Sequence, residues 1–359
     1  MRKNSKIYVA GHRGLVGSAI LRKLQEKGYT NIIAKTSKEL DLRRQEDVER
    51  FFEKEKPEYV FLAAAKVGGI LANNTYKAEF IYDNIMISAN VIHSSYKYGV
   101  KKLLNLGSSC IYPKYSEQPM KEEYLLTGSL EPTNEPYAIA KITAIKLVRY
   151  YNEQYGTNFI SVMPTNLYGP NDNFNLETAH VLPALLRKFH LAKLLRDKDF
   201  DKIRKDIKRY PIGYRLDEKI NLDDENSIRD ILKQVGVTED YAEIWGSGEV
   251  YREFLYVDDM AEGCVFLMEN VDAEEMKKIS QDYFVNLGTG EDIKLKDLAM
   301  IIKDIVGFEG EIKYDLSKPD GTSRKLLDVT RIKFLGWKPK ISLEDGIKET
   351  YRWYSRLKC

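Results

Sequence analysis

Through its first half the chain alternates short apolar runs with longer segments in which apolar positions return every three or four residues. The runs at 7–10, 32–35, 59–63, 102–106 and 159–163 predict strands, and the periodic segments at 17–26, 47–54, 81–98 and 137–155 predict helices. Strands apolar on both faces belong to a covered sheet, and the helices between them supply the crossovers that parallel strands need. This pattern predicts an α/β fold with a doubly wound parallel sheet, whose ligands bind beyond the C-terminal strand ends.

After Pro164 the alternation weakens. Between residues 193 and 240 about half of the positions are Asp, Glu, Lys or Arg. Amphipathic stretches at 200–208 and 227–235 predict helices there, joined by loops, in a segment too polar to be part of the core. Regular structure resumes at 242–245 and 254–269, followed by a smaller, turn-rich C-terminal part that includes Pro319-Asp320-Gly321.

Composition narrows the class of function. The formal net charge of +2 over 359 residues offers no footprint for nucleic acid. Three cysteines (Cys110, Cys264 and Cys359) and four scattered histidines show no metal-ligand spacing and no disulfide framework, which fits a reducing, cytoplasmic location. The N-terminal apolar run is too short for a signal segment or a membrane span, so a soluble protein with no membrane partner is expected.

Chemistry enters directly after the first apolar run, at Gly11-His12-Arg13-Gly14-Leu15-Val16-Gly17. Glycines at this spacing, between a strand and a helix, permit a tight turn and let backbone N–H groups at the helix start approach a pyrophosphate. The second strand ends Ala34-Lys35-Thr36-Ser37 without the acid that would hold a ribose 2′-hydroxyl, and Arg13 lies inside the loop, so NADP is favoured over NAD. Glu39 is the acid that a shifted strand end would bring to the ribose. Small residues at the end of the third strand, Ala63-Ala64-Ala65, would admit the adenosine side of the cofactor.

A second set of residues points to proton transfer. Tyr137 and Lys141 stand one helical turn apart on a shared face, and Ser108 follows the fourth strand. A tyrosine with pKa near 10 needs roughly 4 kcal/mol of help to ionise near neutral pH, which an adjacent ammonium in a partly dry pocket supplies. Serine, tyrosine and lysine alone describe a carbonyl reductase. Cys110, with His180 as a partner, adds the capacity to move protons on carbon beside the ketone.

These stretches carry a resemblance, together with Ala72-Asn73-Asn74-Thr75, Gly107-Ser108-Ser109-Cys110-Ile111-Tyr112-Pro113, Glu131-Pro132-Thr133-Asn134-Glu135-Pro136-Tyr137, Met163-Pro164-Thr165-Asn166-Leu167-Tyr168-Gly169-Pro170 and Arg324-Lys325-Leu326-Leu327-Asp328. Over nearly its whole length the chain resembles the extended short-chain dehydrogenase/reductases. Among them it is similar to the 3,5-epimerase-4-reductases that convert GDP-4-keto-6-deoxy-D-mannose and NADPH to GDP-L-fucose. The resemblance implies a Rossmann-like sheet in residues 1–170, to which 250–272 return. A smaller mixed α/β domain from 171–249 and 273–359 would bind the GDP-linked sugar. It gives Tyr137 the role of proton donor to the C4 oxygen, Lys141 that of its partner, Ser108 that of holding the carbonyl, and Cys110 and His180 those of base and acid. It adds Asp41, Leu42, Leu106, Gly107, Pro164, Asn166, Leu167 and His180 to the cofactor site. Ser109, Cys110, Asn166, Lys188, Trp245, Arg252 and Asp320 fall to the sugar nucleotide, and the helices at 81–98 and 137–155 to a homodimer contact.

The pattern departs from the family at about 192–240, where a charged insertion separates His180 from Trp245. It borders the expected sugar pocket and leaves room for a lid, an oligomer contact or a different sugar, such as a GDP-linked heptose. A sugar-nucleotide 4,6-dehydratase would need an acid beside the active-site serine, where this chain has Ser109-Cys110. A C4 reductase without epimerase activity is opposed by the presence of Cys110 and His180. A non-enzymatic NADP sensor is opposed by the intact Tyr137–Lys141 pair.

Overall fold

Short apolar runs and amphipathic helices alternate in the first half: β1 (Ile7–Ala10), α1 (Leu15–Glu26), β2 (Ile32–Ile33), α2 (Gln45–Glu55), β3 (Tyr59–Leu62), α3 (Ile70–Thr75), α4 (Lys77–Lys97), β4 (Lys102–Leu106), α5 (Glu135–Tyr155) and β5 (Phe159–Pro164), all expected except the short helix α3. The computed structural model describes residues 1–318 and 320–356. Pro319 of the expected turn and Cys359 therefore lie outside the described residues.

The chain continues through β6 (Asn166–Tyr168), α6 (Val181–Arg196), α7 (Phe200–Arg209), α8 (Glu225–Gln234), β7 (Tyr241–Trp245), β8 (Tyr251–Tyr256), α9 (Val257–Asn270), α10 (Ala273–Ile279) and β9 (Phe284–Leu287). It closes with β10 (Asp292–Lys294), α11 (Leu295–Val306), β11 (Glu311–Asp315), β12 (Arg324–Lys325), α12 (Thr330–Phe334) and α13 (Leu343–Arg356).

Six parallel strands in the order β2-β1-β3-β4-β5-β9 form the main sheet. Its interior residues, such as Ile7, Val9, Val60, Leu104 and Val162, are fully buried, each contributing roughly 1.5–3 kcal/mol of burial free energy. The return of the chain to this core is longer than 250–272. Residues from Phe284 to Leu287 complete the sheet, and Leu327, Ile332 and Trp337 also pack on it. A smaller sheet places β8 between β10 and β12, with β6 also pairing to β8, while β7 and β11 form a separate parallel pair.

The charged stretch departs from expectation. Its helices bury Phe200, Ile203 and Ile207 on α7 and Ile228, Ile231 and Leu232 on α8, all within a second hydrophobic core shared with α6, α11 and α13. Charges crowd the outer faces of these helices, so the high average conceals a complete apolar stripe at helical spacing. The segment is a core element and not a surface appendage.

That core encloses Arg187, which is 0% exposed. Its guanidinium donates to Asp206 Oδ1 of α7 (2.9 Å) and to the carbonyls of Phe174 (2.8 Å), Pro211 (2.8 Å) and Tyr210 (2.5 Å). The Tyr354 hydroxyl donates to the other Asp206 oxygen. A buried ion pair persists only when its remaining hydrogen-bonding capacity is met, as it is here.

Candidate active site

At Gly11 and Gly17 the glycine loop has no room for a side chain. A Cβ on Gly11, whose φ is +86°, would lie 2.8 Å from backbone atoms of Ala64, and one on Gly17 would lie 2.2 Å from the Gly11 carbonyl oxygen. Helix α1, opened by Leu15 and Val16, has Gly14 as its N-cap, with no capping side chain and no acid in its first turn. Its free N–H groups and positive end suit a phosphate. His12 Nδ1 is buried without a hydrogen-bond partner among the described residues, and Arg13 is exposed beside it. These features fit a dinucleotide.

The end of the second strand bears on the cofactor's 2′ position. Strand β2 stops at Ile33, and Glu39 uses one carboxylate oxygen to accept from Thr36 N and Thr36 Oγ1, both at 2.8 Å. Lys35 and Arg13 add positive charge around it, and together these contacts hold its pKa below the usual carboxylate range. Asp41 is likewise engaged, by Arg43, and the Leu42 carbonyl accepts from Asn90. The acid nearest the ribose position is thus tied into its own turn.

Beyond β4 the backbone turns at Gly107, where a Cβ would collide with Met163 at 2.2 Å. Ser108 then caps a single helical turn, Ser109–Ile111, accepting from the Cys110 N–H at 3.4 Å. Lys141 rises from α5 into this region, 5% exposed, and donates to the Leu106 carbonyl at 2.7 Å. Its ammonium lies 5.7 Å from the centre of the Tyr137 ring. Burial lowers Lys141 to about 8 and raises the Tyr137 phenol, with the charge of Cys110 raising the phenol further. In the free chain, therefore, burial outweighs the activation expected from the lysine, and the tyrosine is held in its protonated, donating form.

Cys110 is also pushed up by burial, against the opposing pull of Ser108, Lys325 and Lys141. His180 is an exposed residue at the N-cap of α6, and the protein packed around its imidazole, followed by the charge of Lys325, pushes its pKa down. Lys325 thus lies within electrostatic reach of both groups, and also of Arg252 and Glu131. Its position follows from strand pairing, because β12 runs parallel to β8 with Lys325 opposite Arg252. Replacing Lys325 with methionine should move the pH for half-maximal iodoacetamide labelling of Cys110 upward from an already elevated value. Mass spectrometry would follow this, with fully buried Cys264 as the unreactive internal control. An unchanged profile would mean that Lys325 does not act on the thiol.

The remaining candidates gather around the β7 and β8 ends. Lys188 donates to the Glu243 carbonyl at 2.8 Å and is lowered by burial to about 8. Trp245 is 44% exposed, with the Lys318 ammonium 5.4 Å from its ring. Asp320 closes the loop after Trp245, accepting from Ser247 N (2.6 Å) and Ser247 Oγ (2.9 Å) over Gly246. Arg252 donates to the Tyr251 carbonyl (2.7 Å), and burial lowers its pKa, partly offset by Asp320. Asn166 donates to the Glu253 carbonyl at 2.8 Å, between Pro164 and Leu167. Charge interactions join Arg252 to Asp320 and Lys325, and Lys325 to Cys110 and His180, while Lys188 interacts with Glu243 and Asp315 at the β7–β11 pair, where the Asp315 carbonyl accepts from Gly246 N.

Two contributors went unread in the sequence. Lys325 appeared there only inside a matched stretch. Glu253, fully buried, accepts from the N–H groups of Thr289 (2.6 Å), Gly290 (2.8 Å) and Leu327 (2.9 Å), which pins β12 beside Arg252. An acid within the otherwise apolar run that ends β8 was its only sequence signal.

Comparison with known proteins agrees with this geometry. Residues 7–206 and 211–284 match the model of the NAD dependent epimerase/dehydratase family. GDP-L-fucose synthase 1 of Arabidopsis thaliana is 52% identical over 99% of this chain and 95% of its own length. The GDP-L-fucose synthase of Escherichia coli K12 is 47% identical over 97% and 96%. Among solved structures, a GDP-D-glycero-L-gluco-heptose synthase from Campylobacter jejuni, crystallised in the presence of NADPH, superposes with a TM-score of 0.90 at 43% identity, covering 99% of each chain. With the glycine cradle, the Tyr137–Lys141 pair and these relatives in agreement, the chain belongs to the NAD dependent epimerase/dehydratase family, with GDP-L-fucose synthases among its near relatives.

Proposed function

We propose that the protein converts GDP-4-keto-6-deoxy-D-mannose to GDP-L-fucose by epimerisation at C3 and C5 followed by reduction at C4, with NADPH as cofactor. The observation that carries this reading is that the charge of Lys325 acts on both Cys110 and His180, while Lys141, on the same helix as Tyr137, also acts on Cys110. A plain ketone reductase has no use for the first pair.

The C4 ketone acidifies the hydrogens on both neighbouring carbons, so a single base and acid can act at each. Cys110 removes a proton as thiolate, with Lys325 and Lys141 favouring the anion against burial. His180 returns a proton from the other side, and its depressed pKa makes it ready to give that proton up. NADPH, when bound, supplies the hydride for C4. Ser108 holds the carbonyl oxygen, and Tyr137, kept protonated in its buried setting, delivers the final proton to it. The glycine loop, Arg13, Asp41, Leu42, Ala64 and Lys141 would hold the cofactor.

The first core, with its six-stranded sheet, would bind the dinucleotide, and the second core would bind the sugar nucleotide. Arg252 and Lys188 are suited to the diphosphate, and Trp245 to packing beside the base. Tyr96 and Tyr155, exposed on α4 and α5, stack on each other, and exposed Tyr150 of α5 lines an apolar groove of about 330 Å³ with Leu126 and Ile139. We propose a homodimer through this face, which sedimentation velocity tests.

Incubation with GDP-4-keto-6-deoxy-D-mannose and NADPH in D2O is expected to yield GDP-L-fucose carrying deuterium at C3 and C5 by NMR. Absence of NADPH consumption would overturn the assignment, and reduction without deuterium would leave a C4 reductase alone. A second reading, a reductase of a GDP-4-keto heptose, is favoured by the likeness to the Campylobacter jejuni heptose enzyme. Competition between the two keto sugars for the same preparation would separate them.

A further inference from the structure

The charged segment grips the run leading to His180 through contacts that its surface charge conceals. Between α7 and α8 the chain passes through Gly213, with φ +89°, and Tyr214, with φ +55°. Tyr214 N donates to Glu177 Oε2 at 2.7 Å, and its hydroxyl donates to the Leu176 carbonyl at 3.2 Å. A Cβ on Gly213 would lie 2.5 Å from the Glu177 Cβ, so only glycine allows this approach. The Arg187 bond to the Phe174 carbonyl, with Asp206 of α7 holding the guanidinium, adds a second tie from the same segment.

What these contacts grip is the run that ends in His180. Asn175 closes a turn there, its side chain accepting from Glu177 N (2.9 Å) and its carbonyl from Ala179 N (2.8 Å). On the other side, Gly69 N donates to the Thr178 carbonyl at 2.9 Å, and a Cβ on Gly69 would be 2.8 Å from the Ala179 oxygen. Residues 174–179 are therefore held between the charged segment and the Gly68-Gly69 loop, with two residues separating Glu177 from His180.

We propose that residues 210–217 form a latch that holds the 174–179 run and thereby sets the place of His180 in the pocket. Glu177 and Tyr214 are positioning residues for the epimerisation half of the reaction. The proposal rests on the reading of His180 as the epimerisation acid. A misplacement of about 1 Å is enough to cost about 100-fold in a positioned reaction, so a latch of this size suffices.

The test uses the full chain with Gly213→Ala and Glu177→Ala, and with Glu177→Gln as the conservative control that keeps an acceptor for Tyr214 N. In the first two, deuterium incorporation at C3 and C5 should fall about ten- to 100-fold, and by more than NADPH affinity falls. Glu177→Gln should restore most of the loss. Independently of any substrate, the His180 imidazole should titrate higher in ¹⁵N NMR, toward the ordinary histidine value, as the crowding that lowers it relaxes. With four histidines in the chain, His180→Gln subtraction identifies the signal. Equal falls in exchange and NADPH binding, in step with lost folded protein, would overturn the proposal, as would an unmoved His180 titration in well-folded variants. If the unmodified protein exchanged no deuterium into the keto sugar, the functional reading would fail, while the His180 titration would still decide the latch.

Discussion

Tyr137→Phe is expected to remain folded and to bind NADPH, yet to reduce the C4 ketone about 100- to 10,000-fold more slowly, the range for losing a positioned general acid. The phenol is half-buried beside Lys141, and its removal from water holds its proton on until a developing alkoxide draws it off. Phenylalanine keeps the ring and its edge contact with Phe80, so the packing survives and only the proton is lost. Exchange at C3 and C5 should continue, because Cys110, His180 and Lys325 act without that hydroxyl. Stopped-flow NADPH oxidation beside NMR exchange in D2O would separate the two activities. An equal loss of both would contradict the division of labour.

The second large effect concerns stability. Arg187→Met should lower the free energy of unfolding by about 3–5 kcal/mol, the range for stranding one partner of a buried ion pair. Asp206 would be left in the second core with the Tyr354 hydroxyl as its remaining side-chain donor, and the carbonyls of Phe174, Tyr210 and Pro211 would lose theirs. The double variant Arg187→Met/Asp206→Leu should recover part of that loss, since an apolar pair can replace a buried ion pair at little cost. Urea denaturation of both variants measures this. A double variant no more stable than the single one would place the cost in the carbonyls and not in the stranded charge.

Much of the first half of the chain was legible because its signals are local. The first five strands and the helices α1, α2, α4 and α5 follow from runs and periods contained in single windows, whereas the six-residue α3 is too short to show a period, and the Gly11 to Gly17 loop follows from its place between β1 and α1. The charged stretch misled through its average. Phe200, Ile203 and Ile207 stand at helical spacing, but the density of Asp, Glu, Lys and Arg around them reads as solvent. Lys325 was hidden for a different reason: its place opposite Arg252 depends on parallel pairing between β12 and β8, which no window of sequence contains. The ionisation of Tyr137 was read from Lys141, and the role of Cys110 from its residue type. Burial, which only the folded chain reveals, moves both the other way.

The sixth strand of the main sheet has a consequence for synthesis. Because Phe284 to Leu287 pair with Ser161 to Pro164, the edge of β5 stays open while the intervening chain is made. A nascent chain that has just finished α9 presents an unpaired parallel edge, the kind of surface on which chains associate wrongly. Closing the sheet across so long a loop is a high-contact-order step, and such steps fold slowly. The protein's exposure to chaperones and to aggregation should therefore be concentrated in the interval between translation of β5 and release of β9.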